Sequence, residues 1–269
     1  MIRFEGVSYS YPDDRQVLNG IDLQIEKGTF TTIIGDNGSG KSTLVRHMNG
    51  LLTPSDGTVS VCGMGTFDPE NLWEIRQMVG MVFQDPHSQA VGATVEEDVA
   101  FGPENLALKR EEVRIRVSDS ILDVGLEGFE EHLLMNLSGG QLQKTALAGV
   151  LAMKAEYLVF DEVTSMLDQD SRSQVLEIVL KLNRMGKTIV YVTHHMEEVL
   201  ASDRVIVMEG GSVAIDGSPA DVFRELYNSG HRIPPLMELV FRLQDSGILD
   251  RGVLPVNANS LMEGLCQSM

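Results

Sequence analysis

Cysteine is nearly missing: only Cys62 and Cys266 occur in 269 residues. Two thiols so far apart make no disulfide framework and suit a reducing compartment. No run of eighteen or more apolar residues occurs, so no helix is expected to span a membrane. The opening residues, Met-Ile-Arg-Phe-Glu-Gly, read as strand and lack the long apolar stretch of a secretory signal. Basic residues are also scarce. Lys and Arg number 21 against 39 Asp and Glu, a net charge of −18, with no basic run. Binders of nucleic acid or anionic lipid display a basic face, so no nucleic-acid partner is expected. Internal repeats and low-complexity tracts are absent. What remains is a globular composition, 43% apolar, in a chain long enough for two or three lobes.

Along the chain, short apolar or alternating runs at 31–34, 58–62, 78–83, 157–160 and 188–192 read as strands. Turns interrupt them, among them Tyr11-Pro12-Asp13-Asp14 and Glu26-Lys27-Gly28. Residues 95–136 have helical spacing, with Pro103 and Gly125 as breaks. Helix-length segments precede the strands at 157 and 188, a βαβ rhythm that implies a parallel sheet with crossover helices. Residues 205–208 and 212–216 read as a hairpin around Gly210-Gly211, and short helices follow at 220–227 and 235–246.

The strongest chemistry lies at Gly35-Asp36-Asn37-Gly38-Ser39-Gly40-Lys41-Ser42-Thr43. A strand precedes it and a helix follows over 41–48, so G-x-x-x-x-G-K-[ST] stands in the context of a phosphate-binding P-loop. Its glycines turn the backbone tightly and aim N–H groups at an anion, and the helix start adds positive potential. Lys41 is expected on the β- and γ-phosphates of ATP and the Ser42 hydroxyl on Mg²⁺. The strand 157–160 ends in Asp161-Glu162. Strand alternation sends the two acids in different directions, Asp161 toward Mg²⁺ and Glu162 toward the attacking water as general base.

Leu137-Ser138-Gly139-Gly140-Gln141 opens a helix over about 140–153. Taken alone, Ser-Gly-Gly is an ordinary Ser-capped helix start. Ahead of an acid-tipped strand, the pentad matches the signature of ATP-binding cassette (ABC) ATPases, and the chain resembles that family from about residue 3 to 217. The resemblance implies an α/β fold with a P-loop (RecA-like) parallel-sheet core and an antiparallel β subdomain. It further implies a helical subdomain at about 88–153 carrying the signature, and a small C-terminal helical extension at 218–269. In that family the signature of one subunit completes the ATP site of its partner. Ser138, Gly139, Gly140 and Gln141 are thus expected to act in trans, and so is Asp168 in Ser165-Met166-Leu167-Asp168, which resembles the D-loop. Tyr11 resembles the aromatic that stacks on adenine, with Tyr9 as rival. Gln84 looks like the glutamine that reaches Mg²⁺, and His194 like the switch histidine that senses the γ-phosphate. The adjacent His195 reads as a surface residue at a helix start. Two positions depart from the family pattern. Val163 replaces the proline of D-E-P-T-S, and Leu142-Gln143-Lys144 stands where a basic residue followed by Gln-Arg is common. Neither removes a catalytic group, so an active ATPase is expected.

The stretch 80–105 looks like the ATPase of energy-coupling factor (ECF) transporters, also called the CbiO-like group, as do Met166 and Pro219-Ala220-Asp221-Val222-Phe223. That resemblance implies a second ATPase subunit, identical or paralogous, a transmembrane coupling protein and a substrate-binding membrane protein. It places the chain peripherally on the cytoplasmic face of the cell membrane, driving uptake of a vitamin or transition-metal ion. Acids near Gln84, namely Asp85, Glu96, Glu97 and Asp98, either meet a basic coupling protein or simply form a charged helix start. An ATPase of another ABC transporter class is the alternative. A soluble, non-transport ABC protein is the third reading, disfavoured by the single cassette and the acidic balance.

Overall fold

The computed structural model describes residues 1–12 and 15–250. Asp13 and Asp14 of the expected turn, Cys266, and the end of the expected extension fall outside these residues. Strands β1 (Ile2–Ser10), β2 (Gln16–Ile25), β4 (Asp56–Val61) and β5 (Met64–Gly65) form an antiparallel sheet in the order β2-β1-β4-β5. A second sheet comprises β3 (Phe30–Gly35), β6 (Val79–Val82), β7 (Tyr157–Asp161), β8 (Thr188–Val192), β9 (Arg204–Glu209) and β10 (Ser212–Gly217). Its order is β10-β9-β3-β8-β7-β6, parallel throughout except for the β9–β10 hairpin.

Every residue of β6, β7 and β8 is buried, as expected for strands covered on both faces. Alternation then divides each strand between two cores. Leu158, Phe160, Ile189 and Tyr191 face one side. Helices α3 (Val95–Asn105), α4 (Arg110–Asp123), α5 (Gly139–Ala152) and α6 (Gln169–Arg184) cover them with Val99, Val117, Leu147 and Val179. Val159, Val190 and Val192 face the other side. There α1 (Lys41–His47) lies between the sheets, with Leu44 and Val45 packed among Phe4, Val7 and Ile33, and α2 (Leu72–Met78) adds Ile75 to the same core. The site is therefore built where two separately filled cores meet along one sheet.

Sequence breaks act locally. Gly125, at φ 68°, follows α4, and Leu126 N–H closes back on Ile121 O at 3.0 Å. Pro103 does not break α3 where it stands. The helix continues to Asn105, because a proline one turn from the end deprives only one carbonyl of its donor.

The C-terminal helices are not a separate body. Val222 and Phe223 of α8 (Pro219–Asn228) and Met237 and Phe241 of α9 (Pro235–Asp245) share a core with Ile34, Val199 and Val205. Phe223→Ala should therefore destabilise the whole chain by about 3–5 kcal/mol, the usual cost of truncating a buried phenylalanine. Urea unfolding should show one transition moving to lower denaturant. An early separate transition, with the main one unmoved, would show α8 and α9 to be an independent unit.

Candidate active site

The P-loop leaves β3 at Gly35, whose φ is 146° and where a Cβ would lie 2.2 Å from Met208 O of β9. No other residue fits that approach. Lys41 opens α1 and is buried, 4% exposed. Its Nζ donates to the carbonyls of Gly35 at 2.9 Å and Asp36 at 3.0 Å. No carboxylate is within ion-pair distance of it among the described residues. Ser39 Oγ beside it is buried without a hydrogen-bond partner. A buried cation satisfied only by dipoles, next to an orphaned hydroxyl, suits a multiply charged anion. The loop residues Asp36, Asn37 and Gly38 are exposed above it, and Gly40 is buried.

Tyr11 reaches the same helix, its hydroxyl 3.2 Å from Thr43 Oγ1. Tyr9 packs edge-on against both Tyr11 and His47, at centroid distances of 5.0 and 4.9 Å. Of the two tyrosines, Tyr11 is the one hydrogen-bonded to the P-loop, and Tyr9 wedges it against α1.

The two acids separate at the end of β7. Asp161 is the last strand residue, and its Oδ1 accepts from Ser42 Oγ at 2.9 Å. Glu162 has left the strand with φ 52°. The different directions of the two carboxylates thus come from a reversed backbone dihedral and not from strand alternation. Asp161 is 3% exposed, and burial pushes its carboxyl above the ordinary range in spite of the Ser42 hydroxyl. A hydroxyl and one carboxylate supply hard oxygen ligands, and no larger cluster of metal-binding side chains exists among the described residues. That sparse set fits Mg²⁺, which retains waters and shares substrate phosphates.

Glu162 faces a different pair. Its Oε2 lies 3.4 Å from Gln84 Nε2 and 3.4 Å from His194 Nδ1. Gln84 also donates to Ser165 Oγ at 3.2 Å. The Glu162 side chain is 15% exposed and that of His194 is 44% exposed, so this side of the site opens to solvent. His195 is not the surface residue expected from its place at a helix start. It is half-buried, leads into α7 (Met196–Val199), and lies against His194 with ring centroids 4.1 Å apart and planes tilted by 42°. Its Nδ1 is 3.4 Å from an Arg172 nitrogen of α6. Packing against α6 turned it inward and left His194 outward.

The signature forms a second cluster. Ser138 caps α5 and shares a reciprocal capping box with Gln141: Gln141 N–H donates to Ser138 Oγ at 3.3 Å, and Ser138 N–H to Gln141 Oε1 at 2.9 Å. The ordinary cap is thus formed, with Ser138 and Gly139 left exposed at the helix start. Gly140 is buried, and a Cβ there would meet Ser171 Oγ at 2.6 Å. Ser171 in turn donates to Asp168 Oδ2 at 2.9 Å. Signature and D-loop carboxylate thus stand together at the adjoining starts of α5 and α6. No hydrogen bond or ion pair joins them to the P-loop among the described residues. At 14 residues, α5 is about 20 Å long.

Several contacts escaped the sequence. Phe83 N–H donates to Gln89 Oε1 at 3.1 Å and steadies the approach to Gln84. Glu198 is buried beneath the histidine loop. Nothing distinguishes it in Met196-Glu197-Glu198 except a spacing of four from His194. The acids after Gln84 are mostly engaged at home. Asp85 accepts from His87 N–H at 3.0 Å, Glu97 from Ala93 N–H at 2.9 Å and Asp98 from Val91 N–H at 2.7 Å. Glu96 remains exposed.

A P-loop, an acid-tipped strand and a remote signature on one α/β cassette define an ATP-binding cassette. The family model described as ABC transporter matches residues 18–165. The energy-coupling factor transporter ATP-binding protein EcfA of Methanosarcina acetivorans is 48% identical over 269 residues, covering 99% of this chain and 98% of the relative. In structure the chain is similar to cbiO1 from Clostridium perfringens, part of the ABC transporter complex cbiONQ, with TM-score 0.78 and 34% identity over 91% of this chain and 96% of the other. It is also similar to the dimeric bacterial cassette MJ0796, with TM-score 0.74 and 31% identity over 81% and 99% of the two chains. The chain belongs to the ABC transporter family, among its energy-coupling factor ATP-binding proteins.

The raised Asp161 carboxyl makes a signed prediction. Ionised Asp161 penalises the nucleotide-free fold at pH above its raised value, and the penalty is relieved as pH falls through that value. Asp161→Asn, which keeps an acceptor for Ser42, should melt higher than wild type at neutral pH in EDTA. The gap should close as the solution is acidified into the carboxylate range. A gap independent of pH would exclude burial of the charge as its cause.

Proposed function

We propose that this chain is the ATP-binding and hydrolysing subunit of an ECF-type importer. It works in a pair with a second ATPase subunit, identical or paralogous, on the cytoplasmic face of the membrane. A transmembrane coupling protein and a substrate-binding membrane protein complete the assembly and carry a vitamin or a transition-metal ion. The observation that carries this reading is the division of the site into two clusters on one chain. Lys41, Ser42, Asp161, Glu162, Gln84 and His194 form one half. Ser138 to Gln141 and Asp168 form the other, which a second subunit would present across an interface. No helix among the described residues is long and apolar enough to cross a membrane.

ATP lies with its phosphates on the amides of residues 36–43 and on Lys41, and its adenine against Tyr11. Ser42, Asp161 and Gln84 would hold Mg²⁺, which would supply positive charge at the phosphate oxygens. Glu162 takes the proton of a water whose oxygen attacks the γ-phosphorus as the bond to the ADP oxygen breaks. His194, beside Glu162, orients the γ-phosphate, and Gln84 holds the carboxylate from the opposite side. Closure of the paired subunits on two ATP molecules pulls on the membrane partner near Gln84, and hydrolysis reopens them.

Two measurements test this. Glu162→Gln should lower kcat about a hundredfold or more while ATP affinity holds, since general-base loss removes a transition-state contribution only. Turnover within a few-fold of wild type would sink the assignment. Separately, the tagged chain should co-purify from native membranes with a coupling protein and a small substrate-binding membrane protein. Recovery with a multi-span permease and a periplasmic binding protein would point to another ABC transporter class.

A further inference from the structure

Glu198 is as deeply buried as Asp161, 3% exposed, yet no step above uses it. Its Oε2 accepts from Thr193 Oγ1 at 2.6 Å and from Thr164 Oγ1 at 3.2 Å. The Tyr191 hydroxyl is 3.1 Å from Thr164 Oγ1, and His195 N–H donates to Thr193 Oγ1 at 3.0 Å. A hydroxyl has one proton to donate. With both threonine protons committed to Glu198, Thr164 accepts from Tyr191 and Thr193 accepts from His195. Every donor in the chain points toward one carboxylate oxygen, and 2.6 Å lies in the range of charge-assisted O–H···O bonds.

The two threonines come from different segments. Thr193 immediately precedes His194. Thr164 lies two residues beyond Glu162, in a turn closed by Ser165 N–H on Glu162 O at 3.0 Å. The β7–β8 ladder ends at Asp161 opposite Val192, and one more backbone bond follows, from Glu162 N–H to Val192 O at 3.0 Å. Past that point the Glu162 turn has left the sheet, and Thr193 keeps a single backbone bond to β3, its N–H on Ile33 O at 3.3 Å. Arg172 makes a looser tie on the α6 side, 3.4 Å from His195 Nδ1 and 3.3 Å from Leu167 O. The buried tie is Glu198.

We propose that Glu198 is a positioning residue that clamps the His194 loop to the Glu162 turn and so sets the 3.4 Å approach of the two side chains. This rests on the reading of Glu162 and His194 as partners in hydrolysis. Neither threonine belongs to the P-loop, so the clamp leaves the Lys41 phosphate cradle untouched.

Steady-state hydrolysis by the full chain tests it. Glu198→Ala should lower kcat about ten- to a hundredfold, the scale of a 1 Å misplacement. KM and the directly measured Kd for ATP should stay within about two-fold, as for a loss confined to the transition state. Glu198→Gln, which keeps an acceptor oxygen for both threonines, should recover most of the rate. Thr164→Val, nearly the same shape, removes one donor and should give an intermediate kcat; it serves where the alanine variant folds poorly. In a His194→Ala background, Glu198→Ala and Thr164→Val should cost nothing further, since there is no longer a pair to position. Full additivity there, a Gln variant no better than Ala, or an unchanged kcat for Glu198→Ala overturns the clamp. Unaltered turnover of His194→Ala itself would instead remove the catalytic reading beneath it.

Discussion

The backbone reversal at Glu162 is the constraint on which the rest of the site depends. A strand buried on both faces delivers Asp161 to Ser42, and one residue later φ turns positive. For a residue with a Cβ that dihedral costs about 1–2 kcal/mol. It is held from both sides, by Glu162 N–H on Val192 O and by Ser165 N–H on Glu162 O. Continued strand would have placed the two acids one pleat apart on opposite faces, the second of them in an apolar core. The reversal instead lifts Glu162 to the rim beside Gln84 and His194. Strain of this kind persists where surrounding contacts determine it, and it clusters at functional sites.

Electrostatically the chain is half of a balanced arrangement. Among the described residues Lys41 is buried with no carboxylate at ion-pair distance, and Asp161 is buried with the Ser42 hydroxyl as its hydrogen-bond partner. Each costs desolvation by itself, and a polyphosphate with its cation offsets both costs. The signature follows the same logic across a greater distance. Gly140 lets Ser171 approach, Ser171 holds Asp168, and the two helix starts form one exposed surface. No hydrogen bond or ion pair joins that surface to the P-loop among the described residues, in keeping with its proposed role toward a second subunit.

Much of this was legible in order along the chain. The P-loop is local chemistry: glycines, a lysine and a hydroxyl within nine residues, bracketed by strand and helix. The β strands at 157 and 188 were legible because parallel strands are apolar on both faces, and Gly125 because a left-handed C-cap nearly requires glycine. Other features were not. Pro103 was read as a break where it merely sits in the last turn of α3. His194 was singled out over His195 by its place after the strand, but the half-burial of His195 against α6 was not legible. Glu198 resembles its neighbour Glu197 in sequence, since burial of one acid in a helix start depends on what covers it.

By itself, the sequence determined the residue types of the chemistry and the family to which they belong, because a phosphate cradle, a signature cap and an acid-tipped strand are each short-range patterns. Tertiary structure alone decided which of those residues meet. Ser42 and Asp161 are 119 positions apart and bond at 2.9 Å; Gln84 and Glu162 are 78 apart and lie 3.4 Å from each other. The parallel order of β3, β8, β7 and β6 brings their ends to one edge of the sheet. Sheet register is set by burial over the whole domain, and no local pattern of residues contains it.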